Sequence, residues 1–195
     1  MKKNYLFYFT LLFFAAFSIG NAQTQFELKG VVVPRTIEFQ DKKLQLNGFG
    51  TRTKLFMDMY VQALYLTTLS VDPKEIIESD TEMAIRMQIV SPLVTSQKLT
   101  KAFRKGLSNS AGEIVFEKHK TEIDYLISLL GREETKENDF FNLIYNPLDT
   151  SIWIYKNDKL EGKVKGFEFK KVLFGNWLSD KPVGEKLKKE LLGLE

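Results

Sequence analysis

The chain has 195 residues, 44% of them hydrophobic, and no cysteine. Its fold must therefore rest on an apolar core, without disulfides, thiolate metal ligands or a cysteine nucleophile. Its 28 basic and 25 acidic side chains give a net charge of +3, and two of the lysines lie in a leader expected to be removed, so 26 remain against 25 and no basic footprint for nucleic acid is left.

Residues 1–23 read as a secretory signal peptide. Lys2 and Lys3 form a basic start, Tyr5 to Ile19 is uncharged and apolar, and Gly20-Asn21-Ala22 supplies small residues for cleavage. The apolar run is shorter than the ~20 residues that a membrane span needs, so no integral span is expected after cleavage. No cysteine near the cut offers a site for lipid attachment. The expected location is a bacterial periplasm or the cell exterior. What remains, residues 24–195, is the right size for one domain, with no internal repeat and no low-complexity linker.

Phe26 to Val33 and Arg35 to Phe39 read as short strands broken at Pro34. Asp41-Lys42-Lys43 makes a turn, and Lys43 to Asn47 leads into Gly48-Phe49-Gly50. The two glycines permit either a positive φ or the close approach of another group. After Arg52 and Lys54 the chain is apolar and aromatic, without proline, to about Leu69. That run reads as a central, buried or half-buried strand. Arg52 stands at its mouth and Tyr60 and Tyr65 lie within it, a set suited to clamping an anion or a carbonyl.

Asp72-Pro73 opens a short helix, Pro73 to Glu78. Glu82 to Val90 alternates as a strand with one wet face. A helix from Ser96 to about Ser108 gathers Leu99, Ala102, Phe103 and Leu107 on one side. Lys98, Lys101, Arg104 and Lys105 lie mostly opposite. Those cations read as a solvated face or, alternatively, as a surface for a partner or a membrane. A second helix spans Gly112 to Leu130 and carries His119 on its apolar face. A lone histidine there reads as a packed or boundary residue before it reads as a general base. One imidazole cannot supply the usual nitrogen set of a zinc site, so no metal is expected, and no cofactor motif is present. Phe140 to Tyr145, Thr150 to Tyr155 and Leu160 to Val164 form a meander turned at Asn146-Pro147 and Asn157-Asp158. A helix begins near Gly166 and runs to Trp177, and a last one starts at Pro182 and stops at Gly193. Strands and helices follow one another without a βαβ rhythm, which argues for an α+β fold with an antiparallel sheet and helices on one face.

Gly48-x-Gly50-x-Arg52, followed by Tyr60-Val61-Gln62-Ala63-Leu64-Tyr65-Leu66, resembles the core signature of the chalcone isomerase-like family, and most of all its bacterial, exported branch. Gly166-Phe167, Gly175-Asn176-Trp177-Leu178-Ser179 and Leu191-Leu192-Gly193 resemble that branch's closing pattern. The resemblance runs from about Gly30 to Gly193. It implies an open-faced sandwich: one large curved antiparallel sheet backed by helices, with a ligand cleft between the layers. It also implies that Arg52 is the family's functional arginine. Where true isomerases carry a catalytic threonine this chain has Tyr60, and their tyrosine and asparagine fall at Leu99 and Gly106. Non-catalytic relatives pair an arginine with a tyrosine on the carboxylate of a fatty acid, and Arg52 with Tyr60 offers the same two residue types.

Three readings follow. In the first, the protein binds a small apolar ligand such as a fatty acid, with Arg52 and Tyr60 on its head and a sleeve of Phe56, Leu64, Phe103 and Ile127 on its tail. In the second, it is an intramolecular-lyase type of isomerase on an unknown substrate. In the third, it is an interaction domain without a pocket. On one straight strand residues 52 and 60 lie about 26 Å apart, at ~3.3 Å per residue. They share a head group only if the chain reverses between them. The family has a hairpin there, and this sequence is several residues shorter.

Overall fold

Proline-free stretches with apolar residues at every second position can pair with themselves on both edges once a turn lets the chain reverse. A computed structural model describes residues 25–195 and shows where those turns fall. The expected leader, residues 1–23, lies outside the described residues. Lys29 and Gly30 take positive φ (53° and 75°), so the first apolar stretch is two strands, β1 (Gln25–Leu28) and β2 (Val31–Pro34), paired as a hairpin. The sequence had suggested one strand there.

Seven further strands form one curled antiparallel sheet, each beside its neighbour in sequence. They are β3 (Thr36–Phe39), β4 (Lys42–Lys54), β5 (Met57–Leu66), β6 (Met83–Ile89), β7 (Phe140–Asn146), β8 (Ser151–Lys156) and β9 (Lys159–Lys165). Leu55 and Phe56 take φ of 50° and 66°. The stretch that read as a central strand from Lys54 onward is thus the second arm of a tight hairpin, with Lys54 opposite Met57.

Six helices complete the described chain: α1 (Pro73–Glu78), α2 (Ser96–Ala111), α3 (Glu113–Lys118), α4 (Lys120–Leu130), α5 (Phe167–Leu178) and α6 (Glu185–Leu191). The expected helix over 112–130 is two helices, because His119 (φ −107°, ψ 22°) leaves the helical region and joins α3 to α4. The last helix starts at Glu185 rather than Pro182. None of these helices is long and apolar enough to cross a membrane.

The main core lies between the sheet and the helices. Leu64, Ile85, Met87 and Leu143 meet Phe103 and Leu107 of α2 and Leu173 and Trp177 of α5. Each such side chain contributes roughly 1.5–3 kcal/mol on burial. The opposite face of β4–β6 is not wholly open. The β1–β2 hairpin lies over Val61, Ala63 and Tyr65 there, forming a smaller core, and the Tyr65 hydroxyl donates to Pro34 O at 2.9 Å. Buried Ala84 belongs to this second core, so the face of β6 expected to be wet is partly dry.

Gly48 and Gly50 are buried in β4. Neither takes a positive φ; both serve close approach. A Cβ on Gly48 would meet the backbone of Glu190 and Leu191, and one on Gly50 would meet the Glu190 side chain. Glu190 Oε2 in turn accepts from Thr51 N at 3.2 Å. The glycine pair is therefore the seat of α6.

Candidate functional site

The β4–β5 hairpin settles the separation of Arg52 and Tyr60. They are direct cross-strand partners, which places their Cα atoms about 4.5–5.5 Å apart. The register slips just beyond them, where Thr53 pairs with Asp58, and Met59 is left over as a bulge. Tyr65 is five residues further along a strand of period two, so it faces the other core. One phenol joins the arginine, not two.

Arg52, Met59 and Tyr60 open onto a cavity of about 280 Å³ beneath the edge of the sheet, walled by α2, α5 and the loop before α6. Leu99, Ala102 and Phe103 of α2, with Val94 and Val183, give it an apolar lining. Leu99 and Gly106, the positions matched to an isomerase's tyrosine and asparagine, do line this cavity, and neither brings a polar side chain. Of the expected sleeve, Phe103 is in place. Phe56 stands at the hairpin tip, fully in solvent. Leu64 and Ile127 belong to the core.

Arg52 is half-buried. Its Nη1 donates to Thr53 O at 2.7 Å and packs against Gly184, where an added Cβ would lie 3.5 Å from it. Among the described residues no carboxylate lies within ion-pair distance of Arg52. Lys54, Lys98, Lys105 and Lys181 also line the cavity, which makes five cations and no carboxylate. Burial raises the pKa of the Tyr60 phenol, and the Arg52 charge opposes that rise. The phenol therefore serves as a neutral donor.

Two buried polar side-chain atoms of α5 lack partners. Asn176, 3% exposed and part of the lining, holds its Oδ1 against Gly106, with no hydrogen bond. A side chain at 106 would occupy the place that this amide takes. Trp177 Nε1 lies near the Tyr60 hydroxyl and slightly favours the ionised phenol, yet it closes no hydrogen bond of normal geometry. Buried polar groups are ordinarily paired; of these two residues only Asn176 lines the cavity, so its Oδ1 is an unpartnered acceptor in the cavity wall. The signal in the sequence was Asn176 itself, a polar residue in the apolar second half of α5, Val172 to Leu178.

His119 is far from this arrangement in role. It lies at the α3–α4 junction, 7% exposed, with Nδ1 3.9 Å from Glu122 Oε1 and its ring 6.3 Å from that of Phe169. It does not line the cavity of Arg52. Among the described residues no cluster of three or more metal-ligating side chains occurs.

A family model described as chalcone isomerase-like matches residues 25–193. Among solved structures, a fatty-acid binding protein of Arabidopsis thaliana superposes with a TM-score of 0.72 and 17% sequence identity. The match covers 86% of this chain and 95% of that one. At that identity the likeness speaks for the fold alone. No curated protein matches the sequence.

Proposed function

The chain belongs to the chalcone isomerase-like family, and on that premise we propose that it binds, without chemistry, a fatty acid or a similar apolar anion in the cavity of Arg52. The observation that carries this reading is the sign of the lining: five cations and no carboxylate around an otherwise apolar pocket. Arg52 would present two parallel N–H donors to a carboxylate and Tyr60 a third donor. Met59, Leu99, Phe103 and Val183 would take the start of the chain. A volume of about 280 Å³ falls just below the ~300–1,000 Å³ typical of ligand sites, which favours a short or medium chain, or one whose tail leaves the mouth. The fold shared with a fatty-acid binding protein supports the same reading.

We further propose that the protein acts outside the cytoplasm, as a member of the family's bacterial, exported branch, delivered by residues 1–23. Native mass spectrometry of the protein purified from its own host tests the ligand. A carboxylic acid should leave with the protein and be absent from Arg52→Ala. A neutral ligand, or the same acid at equal occupancy in Arg52→Ala, would reject the reading.

One observation favours the second reading, an isomerase. Trp177 Nε1 is an unpartnered donor near the Tyr60 hydroxyl, and preorganised donors are what an enolate requires. If the bound molecule is an enone that the protein converts to a ring, catalysis replaces binding. The cavity itself argues against an interaction domain with a filled interior.

A further inference from the structure

Two tight hairpins in this sheet share one backbone signature and differ in the residues that pay for it. The β8–β9 turn places Asn157 and Asp158 at φ of 47° and 64°, and both types tolerate the left-handed region. The β4–β5 turn places Leu55 and Phe56 at 50° and 66°, where Asn-Gly is the favoured pair. Neither side chain recovers the loss by packing, since Leu55 is 77% and Phe56 102% exposed. Met57 beside them and Leu93 before α2 are also exposed.

The surroundings are basic. Lys54 adjoins the tip, and Lys54, Lys98, Lys105 and Lys181 are exposed while lining one cavity. Helix α2 carries Lys98, Lys101, Arg104 and Lys105 and no acidic residue. Arg104 pairs with Asp124 at 2.6 Å. Among the described residues Lys54, Lys98, Lys101, Lys105 and Lys181 have no carboxylate within ion-pair distance. Asp58, close to the tip, is already held by Lys29 at 3.0 Å and Thr53 at 2.7 Å.

We propose that the Leu55–Phe56 tip and the lysines around the cavity mouth form a docking surface for an anionic lipid bilayer. Large apolar side chains at a projecting turn can enter the headgroup layer, while lysines beside them meet lipid phosphates and gain from the negative surface potential. A two-residue tip is a poor match for a stable protein interface, which takes about 800 Å² from each partner. Seated this way, the mouth of the cavity would face the membrane, and an apolar ligand could pass between them with little exposure to water.

The test is co-sedimentation of the purified protein with phosphatidylcholine vesicles, with and without phosphatidylglycerol. The protein should pellet with the anionic vesicles, barely with the neutral ones, and less as salt rises. The double substitution Leu55→Asn, Phe56→Gly should weaken binding by at least about tenfold. That pair suits the turn, so the variant should melt at or above the wild-type temperature, and loss of binding cannot then be unfolding. Lys98→Gln with Lys101→Gln should weaken binding to anionic vesicles only. Failure of the wild type to bind either vesicle, or undiminished binding by the tip variant, overturns the proposal. No acid is added in these assays, so this surface and the acid site can fail separately.

Discussion

Arg52 is a cation with an apolar wall on one side and no counter-ion among the described residues, and that combination sets its expected role. Tyr60 stands directly across the hairpin from it, so its loss should be felt at the same head group. Tyr60→Phe should weaken a bound acid by about one neutral hydrogen bond, ~0.5–1.5 kcal/mol, measured by titration calorimetry. An unchanged affinity would remove Tyr60 from the site. His119 has the chemistry of a base but not the position. His119→Gln should leave acid affinity intact and shift the melting temperature modestly, and a lost affinity with an intact fold would show the histidine to be misplaced in this scheme. The pair Arg52 and Tyr60 was legible from residue types and from the family pattern. Their juxtaposition was not, because Leu55-Phe56 is the opposite of a turn signal. Asn176 has no legible role in the sequence, since nothing in one sequence tells that α5 turns this amide toward Gly106.

At the scale of elements, the glycine pair and Lys170 carry the clearest expectations. Gly48→Ala would drive a Cβ into α6 backbone, whereas Gly50→Ala would meet a Glu190 side chain that can move. Gly48→Ala should therefore destabilise more, by about 1–3 kcal/mol, and equal urea midpoints for the two variants would contradict this seating of α6. Lys170 is fully buried in α5 and donates to Ile76 O, Ile77 O and Ser79 O at 3.1, 2.8 and 2.7 Å, tying down the end of α1. Burial pulls its ammonium pKa down from 10.5 to about 8, against the attraction of Asp80 and Glu78. Between those two values the unfolded chain holds the proton more tightly than the folded one, so stability rises with pH across that window. Urea midpoints at pH 7.5 and 9.5 should show wild type gaining on Lys170→Met; parallel behaviour would contradict the depressed pKa. Most helices and the β7–β9 meander were legible from periodicity and from turns such as Asn157-Asp158. The break at His119 was not, because Phe116, Ile123 and Leu126 keep a helical spacing through it.

At the scale of the molecule, the α+β class and the single curled sheet followed from the order of strands and helices, while the β1–β2 hairpin on the second face did not. A four-residue apolar strand reads the same whether it extends its neighbour or folds back over it. Export belongs to this scale too. Protein recovered from the cell envelope should begin near Gln23 or Thr24 by amino-terminal sequencing, and an intact Met1 in the membrane fraction would contradict the leader. The central claim is that a cation at the cavity holds an acidic head, and calorimetric titration of delipidated protein tests it most directly, with a fatty acid and its methyl ester as ligands. A charged hydrogen bond from arginine is worth ~1.5–3 kcal/mol, so Arg52→Ala should weaken the acid by about tenfold to a hundredfold, and Arg52→Lys should lose part of that. The ester keeps the tail and removes the charge. It should bind wild type clearly less well than the acid and lose little more in Arg52→Ala; acid and ester binding alike, or neither binding at all, would contradict the account.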